Sequence, residues 1–349
     1  MRSNHRRSRG TKRRLLVLAA GVASFMAVIF LIPSILVNRI EAWEPSKLLP
    51  LQPQEQLVAQ EAQLMVPVYL TDRKETVSVP LEAYVRGVLA AEMPVEFELE
   101  ALKAQAIAAR TYLARRLASG ETSGVPQDAE GALVTDTVAH QAYVTEEELR
   151  ERWGFFRYAR NIDKLTRAVN DTEGLVLTYE GEPIEATFFS TSNGFTENSE
   201  LYWQAEIPYL RSVESPWDER YAPNYEREAS FSFKEFYAKM GLKASNKAPD
   251  IVVEDRSDSG RILSVRIAGT SFKGRDVREK LGLASTDFKW STEEGDRIVF
   301  RTEGYGHGVG MSQWGANGMA KEGSKAEDIL LHYYSGVRLE PLRNVLAKA

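Results

Sequence analysis

Glu92 stands in the run Ala90-Ala91-Glu92-Met93-Pro94, and its helical neighbours three and four positions back, Leu89 and Val88, are apolar. A carboxyl in apolar surroundings has its charged form disfavoured, so its pKa rises and it becomes a general acid near neutral pH. Far along the chain, His307 sits among Gly304, Gly306, Gly308 and Gly310, with Gln313 close behind. Glycines at this density let the backbone approach a ligand or take positive φ, so His307 and Gln313 are expected to line a cleft opposite Glu92, the alternative being a tight turn with a buried histidine and no ligand contact. The segment is not a phosphate loop, because the Gly-Lys-Ser/Thr ending is missing. Nor is it a dinucleotide fingerprint, because no βαβ unit with its later acid follows.

Other polar residues join these candidates. Lys103 and Arg110 interrupt an alanine-rich stretch seven positions apart, hence on one helical face. They form either a solvated stripe, continued by Arg115 and Arg116, or a cationic wall facing Glu92 and a substrate. Ser190, Ser192, Asn193 and Glu197 make a polar loop, and Tyr202 and Trp203 just after it suit stacking on sugar rings. A nucleophilic triad of Ser192, His307 and Asp136 is disfavoured because Ser192 lacks the G-x-S-x-G elbow. Asp136 and His140 could share a metal, but two ligands do not define a site, and a hydrogen-bonded structural histidine is the better reading. No metal or cofactor is expected.

The elements that must position these groups follow from local signals. Residues 64–70 and 76–79 alternate and are β-branched, as strands do. Pro80 suits the first turn of a helix, Leu81, Tyr84, Val85, Val88 and Leu89 form one stripe, and Pro94 ends the helix at Met93. Residues 99–117 predict a longer helix whose alanines imply close packing. Short helices are expected at 146–153 and 161–169, and a hairpin of 175–179 with 184–189. Residues 217–287 are more charged, with helices at 234–240 and 273–281 and a hairpin within 251–267 around Asp258-Ser259-Gly260, so they read as an inserted subdomain. The core is then 64–216 with 288–349, containing a strand at 297–301, and the fold class is α+β.

The 349 residues carry a formal net charge of -5 and no cysteine. Arg2, Arg6, Arg7, Arg9, Lys12, Arg13 and Arg14 fall within residues 1–14, which leaves the remainder acidic and argues against nucleic-acid binding. Residues 15–37 are uncharged and mostly apolar; as a helix they would span about 35 Å, enough for a hydrocarbon core. With basic residues before them, they predict a single transmembrane anchor, the N-terminus cytoplasmic and the domain outside. A cleaved signal peptide is the rival, but the run is longer than its usual apolar region and no small-x-small site follows. Residues 38–63, rich in Gln, Glu and Pro, read as a stalk. Without cysteine there are no disulfides, thiolate ligands or cysteine nucleophile.

Five blocks in order, VPLEAYVRGVLAAEMP, LKAQAIAARTYLARR, TDTVAHQAYV, FFSTSNGFTENSE and GYGHGVGMSQWGANGMA, together with the basic tail and single anchor, resemble the stage II sporulation protein D family. These are peptidoglycan lytic transglycosylases of endospore-forming bacteria. The resemblance implies cleavage of glycan strands between N-acetylmuramic acid and N-acetylglucosamine, preferably after the stem peptides are removed, during engulfment at the sporulation septum. It implies Glu92 as the catalytic glutamate, and Lys103, Arg110, the 190–194 loop and the 307–313 segment as cleft residues. It also implies the amidase stage II sporulation protein P and the membrane protein stage II sporulation protein M as partners. Some members hold zinc through a cysteine and a histidine near the position of His140; with no cysteine, zinc is not carried over. The wider family includes modifiers of amidase activity, so a non-catalytic glycan-binding module is the alternative. A hydrolase using Asp136, Glu197 or another carboxylate to activate water is another.

Overall fold

The structure is a computed structural model that describes residues 64–293 and 295–348. The expected tail, anchor and stalk, residues 1–63, lie outside the described residues. Among the described residues no helix is long and apolar enough to cross a membrane.

Strands β1 (Met65–Leu70) and β2 (Glu75–Pro80) form an antiparallel hairpin in the register Leu70↔Glu75 to Met65↔Pro80. Pro80 ends β2 and, at φ -54°, starts helix α1 (Leu81–Glu92) with the torsion proline already has. Because Pro94 disfavours helix before it, Met93 is extended at φ -121°, and Glu92 becomes the last helical residue. Helix α2 (Leu99–Ser119) follows and closes on Gly120 in the left-handed region at φ 64°. Ala104, Ala106, Ala108 and Ala109 are fully buried, so neighbouring elements come close to its backbone.

Strand β3 (Val134–Thr135) adds to β1 in parallel. Helix α3 (Glu146–Asn170) opens with a capping box in which Thr145 and Glu148 satisfy each other's backbone N–H. The two short helices expected here are one element bent at Gly154, which takes φ 65°, ψ 168°. Strand β4 (Leu175–Tyr179) turns into β5 (Glu182–Pro183), but the expected hairpin stops there. Strand β6 (Phe188–Phe189) instead pairs in parallel with a strand far along the chain. Helices α4 (Ser199–Trp203) and α5 (Trp217–Tyr221) are short.

Strand β7 (Glu226–Ser232), helix α6 (Phe233–Met240), strands β8 (Ile251–Arg256), β9 (Ile262–Ile267) and β10 (Thr270–Lys273), helix α7 (Gly274–Leu281) and strands β11 (Phe288–Glu293) and β12 (Arg297–Glu303) enclose an apolar cluster of their own. It is built on Phe231, Phe236, Val265, Val277, Phe288 and Phe300. The sheets run β10-β9-β8 and β11-β12-β7. Helix α5 packs on the main core, and β11 and β12 supply Phe288, Ile298 and Phe300 to the second one.

The chain returns through β13 (Met311–Ser312), the partner of β6, then helices α8 (Gln313–Lys321) and α9 (Ala326–Tyr333), β14 (Arg338–Pro341) beside β4, and α10 (Leu342–Leu346). Helix α2 contacts α1, α3, α8, α9, α10 and β4, and so forms the centre of the main core. The fold is α+β, as expected.

Candidate active site

Glu92 projects from the last residue of α1, where the negative end of the helix dipole and the apolar surroundings both disfavour a charged carboxyl. Burial raises its pKa above the ordinary value; a hydrogen bond from the Ala142 N–H and the nearby Gln313 amide oppose the rise, and no neighbouring charge contributes. The Ala142 N–H donates to Oε1 at 2.9 Å. Its loop is pinned to α1 by Tyr143, whose ring stacks on Tyr84 at 5.2 Å and lies over Gly87, where a Cβ would collide with it.

Gln313 reaches Glu92 because α8 is held against the linker that follows α1. The Glu98 N–H donates to Asn317 Oδ1 at 2.8 Å, and the rings of Phe97 and Trp314 meet edge to face at 4.6 Å. Gln313 is buried, yet its Nε2 completes no hydrogen bond. Gln141, next to Ala142, is also buried with both amide atoms unpartnered. Buried amides without partners are costly and mark places where water or a ligand completes the set. Sequence reasoning missed Gln141, although its place beside His140 in a polar stretch was a signal.

The two polar loops do run together. Thr191 and Tyr305 exchange backbone hydrogen bonds at 2.9 and 2.7 Å, and the Trp314 N–H donates to Ser190 O at 3.0 Å. Two of the glycines are explained by this contact. Gly304 is at φ 76°, and a Cβ there would lie 2.7 Å from Thr191 O. Gly310, at φ 81°, is crowded in the same way by Thr187 O. The expected approach of glycine backbone to a ligand is at these positions an approach to the 187–192 segment.

Behind the loops lies a residue that no local pattern announced. Asp218 is fully buried in α5 and accepts hydrogen bonds from the Ser192 N–H at 2.9 Å, Ser192 Oγ at 2.8 Å, Ser215 Oγ at 2.6 Å and Ser312 Oγ. Ser312 also caps α8 by accepting from the Gly315 N–H. Asp218 thus ties the 190–194 loop to the helix that carries Gln313. Burial pushes its pKa up, and the serine donors oppose this.

Several expected ligand-facing residues have other partners, and their roles are corrected accordingly. Arg110 is fully buried, bidentate to Glu82 at 2.8 and 2.6 Å and bonded to Leu175 O, so it is a core ion pair with no donor facing a cleft. Lys103 bridges Glu100 at 3.1 Å and Asp171 at 2.9 Å. Ser192 is enclosed with Asp218, which also separates it from any histidine-activated triad. Asn193 donates to Ser259 O and Asp287, each at 2.7 Å.

His307 has both nitrogens engaged. Nδ1 accepts from the Val309 N–H at 3.1 Å, which leaves Nε2–H to donate to Phe188 O at 3.0 Å. Its ring packs among Phe189, Tyr202 and Trp203, and burial pushes its pKa down to about 4. It is a neutral wedge behind the loop rather than an open hydrogen-bonding group. Ser190 keeps a partly exposed hydroxyl beside Thr191 Oγ1. Tyr202 lines a cleft of about 660 Å³ between the 197–204 segment and β9, β10 and α7, with Trp203, Glu197, Arg261, Arg275 and Glu279. Glu92 does not line that cleft.

His140 and Asp136 each have other partners. Nδ1 accepts from the Thr135 N–H at 3.2 Å, Nε2 lies 3.0 Å from Ser123 O, and Asp136 is taken up by the backbone and hydroxyl of Thr71. Among the described residues no three His, Asp or Glu side chains gather as a metal site would need.

Residues 69–179 match the family described as Stage II sporulation protein (SpoIID). The chain is 47% identical over 288 residues to Stage II sporulation protein D of Bacillus amyloliquefaciens, covering 82% of each chain. It is also 47% identical over 274 residues to Stage II sporulation protein D of Bacillus subtilis (strain 168), covering 78% of each. It is more distantly similar to the Amidase enhancer of the same strain, at 26% identity over 73% of this chain and 40% of that one.

Proposed function

The chain belongs to the stage II sporulation protein D family, and on that premise we propose that it is a membrane-anchored lytic transglycosylase cutting peptidoglycan glycan strands during sporulation. The observation that carries this reading is Glu92: a lone carboxyl whose pKa is raised by burial and by no neighbouring charge, facing an amide with an unused donor. Protonated Glu92 donates to the glycosidic oxygen, and the bond from C1 of N-acetylmuramic acid to that oxygen breaks. The 6-hydroxyl of the same sugar attacks C1, and its proton passes to the Glu92 carboxylate. The product carries a 1,6-anhydro ring, no water is consumed, and Glu92 ends protonated as it began.

Glu197 and Asp136, the two named candidates for the second carboxylate that an ordinary glycosidase needs, have other partners. Glu197 is buried and accepts from Ser257 and Ser259, and Asp136 is bonded to Thr71. In this reading Gln313 orients the sugar or the acid, Ser190 and Tyr202 offer further contacts to the strand, and residues 15–37 hold the domain on the outer face of the membrane. Stage II sporulation proteins P and M are the proposed partners, the first supplying strands freed of stem peptides. Product analysis with the purified chain and denuded glycan strands tests the proposal. Anhydro ends are expected; reducing ends would make it a hydrolase, and intact strands a binding module.

A further inference from the structure

Helix α3 displays two adjacent aromatic side chains with no role in the site. Phe155 and Phe156 are 85% and 89% exposed, and their rings touch each other edge to face at 5.4 Å. Single exposed apolar residues are ordinary, but two large neighbouring rings this exposed mark an interaction surface. Gly154 creates the display. Its φ 65°, ψ 168° lies in a region open essentially to glycine alone, and a Cβ there would meet nothing within 4 Å. The backbone bend, rather than crowding, requires glycine here, and the bend presents the rings to solvent.

The charge around them is one-sided. Between 150 and 160 lie Arg150, Arg152, Arg157 and Arg160 against the single acid Glu151. Arg150 pairs with Glu146, while Arg152, Arg157 and Arg160 are exposed and make no ion pair among the described residues. Aromatic rings flanked by free arginines suit the interface of an anionic lipid bilayer. The rings enter the boundary of the acyl chains while the guanidinium groups stay with the phosphates. The proposed anchor makes this surface reachable, since residues 38–63 span at most about 90 Å even fully extended.

We propose that Phe155 and Phe156, with Arg152, Arg157 and Arg160, form a wedge that docks the domain on an anionic phospholipid surface. Delivery to the membrane rests on the anchor reading; the docking chemistry does not.

The absence of cysteine allows a direct test. Ala159→Cys in the full chain carries one environment-sensitive fluorophore beside the intact wedge. The labelled chain is mixed with excess vesicles of phosphatidylcholine, with or without phosphatidylglycerol, containing a spin-labelled quencher at headgroup depth. Quenching is expected in the anionic vesicles. Phe155→Ser with Phe156→Ser should abolish it at unchanged Tm, and Arg152→Gln with Arg157→Gln should lower the docked-to-free ratio by about tenfold or more. Absence of quenching, equal quenching in neutral vesicles, insensitivity to the phenylalanine pair, or shielding that needs an added protein would each overturn the proposal. Flotation of the doubly serine-substituted chain with vesicles reports separately on the anchor.

Discussion

Glu92 and Asp218 are both carboxyls whose pKa burial raises, yet their surroundings differ in what they leave free. Asp218 accepts four hydrogen bonds from three serines, and its position in α5 is closed to solvent. Every lone pair it could use in chemistry holds a loop or a helix cap in place. Glu92 accepts one backbone hydrogen bond, stays partly exposed, and faces an amide with a donor to spare. A raised pKa alone does not separate the two residues; how fully their hydrogen bonds are taken up does. Arg110 extends the comparison, because its charge is likewise spent inside the core, on Glu82.

The contrast breaks most visibly at Glu92. Glu92→Gln should lower the glycan cleavage rate by about 10²–10⁴, the usual cost of removing a general acid, with Tm nearly unchanged. Retention of half the rate in a product assay would end its candidacy. At Asp218 the order of effects reverses. Asp218→Ala removes a buried acceptor shared by three serine hydroxyls and the Ser192 N–H and should cost roughly 2–5 kcal/mol of stability by denaturant unfolding. If it instead spared stability and abolished turnover, Asp218 would belong with Glu92.

His307 supplies a pH signature for the scaffold. Its folded pKa of about 4 lies below the ordinary value of 6.5, so the unfolded chain binds the proton first. Its share of stability is complete above pH 6.5 and is lost as pH falls toward 4, by up to roughly 3 kcal/mol. His307→Gln should flatten that part of the Tm-against-pH curve, and an unchanged slope would show the ring to be solvated. The smallest effect is expected at Gln313. Its amide opposes the rise in the Glu92 pKa, so Gln313→Leu should move the alkaline limb of the pH–rate profile upward. A downward shift would mean that Gln313 stabilises the protonated acid instead.

Much of this was legible where the cause is local. Pro80 and Pro94 bracket α1 and so place Glu92 at its end. The alanines of α2 announced a central, closely packed helix. The hairpin of β8 and β9 and the helix α7 followed from their own turns and stripes. The density of glycine at 304–310 correctly marked a constrained segment, but composition could not say whether a ligand or another stretch of backbone imposes the constraint.

What escaped the sequence is long-range pairing. Nothing near Arg110 names Glu82 as its partner, since two helices must first pack to bring them together. The same holds for Lys103 with Asp171, and for Asp218 with serines at 192, 215 and 312. Likewise, Phe188–Phe189 pairs with Met311–Ser312 rather than with its neighbour in sequence. Backbone propensity, proline and apolar periodicity act within a few residues, and so the chain alone determined helices α1, α2, α6 and α7, the end of α1 and a carboxyl in apolar surroundings. Which polar groups are consumed by partners and which remain free depends on contacts between distant segments, and only the tertiary structure decided that.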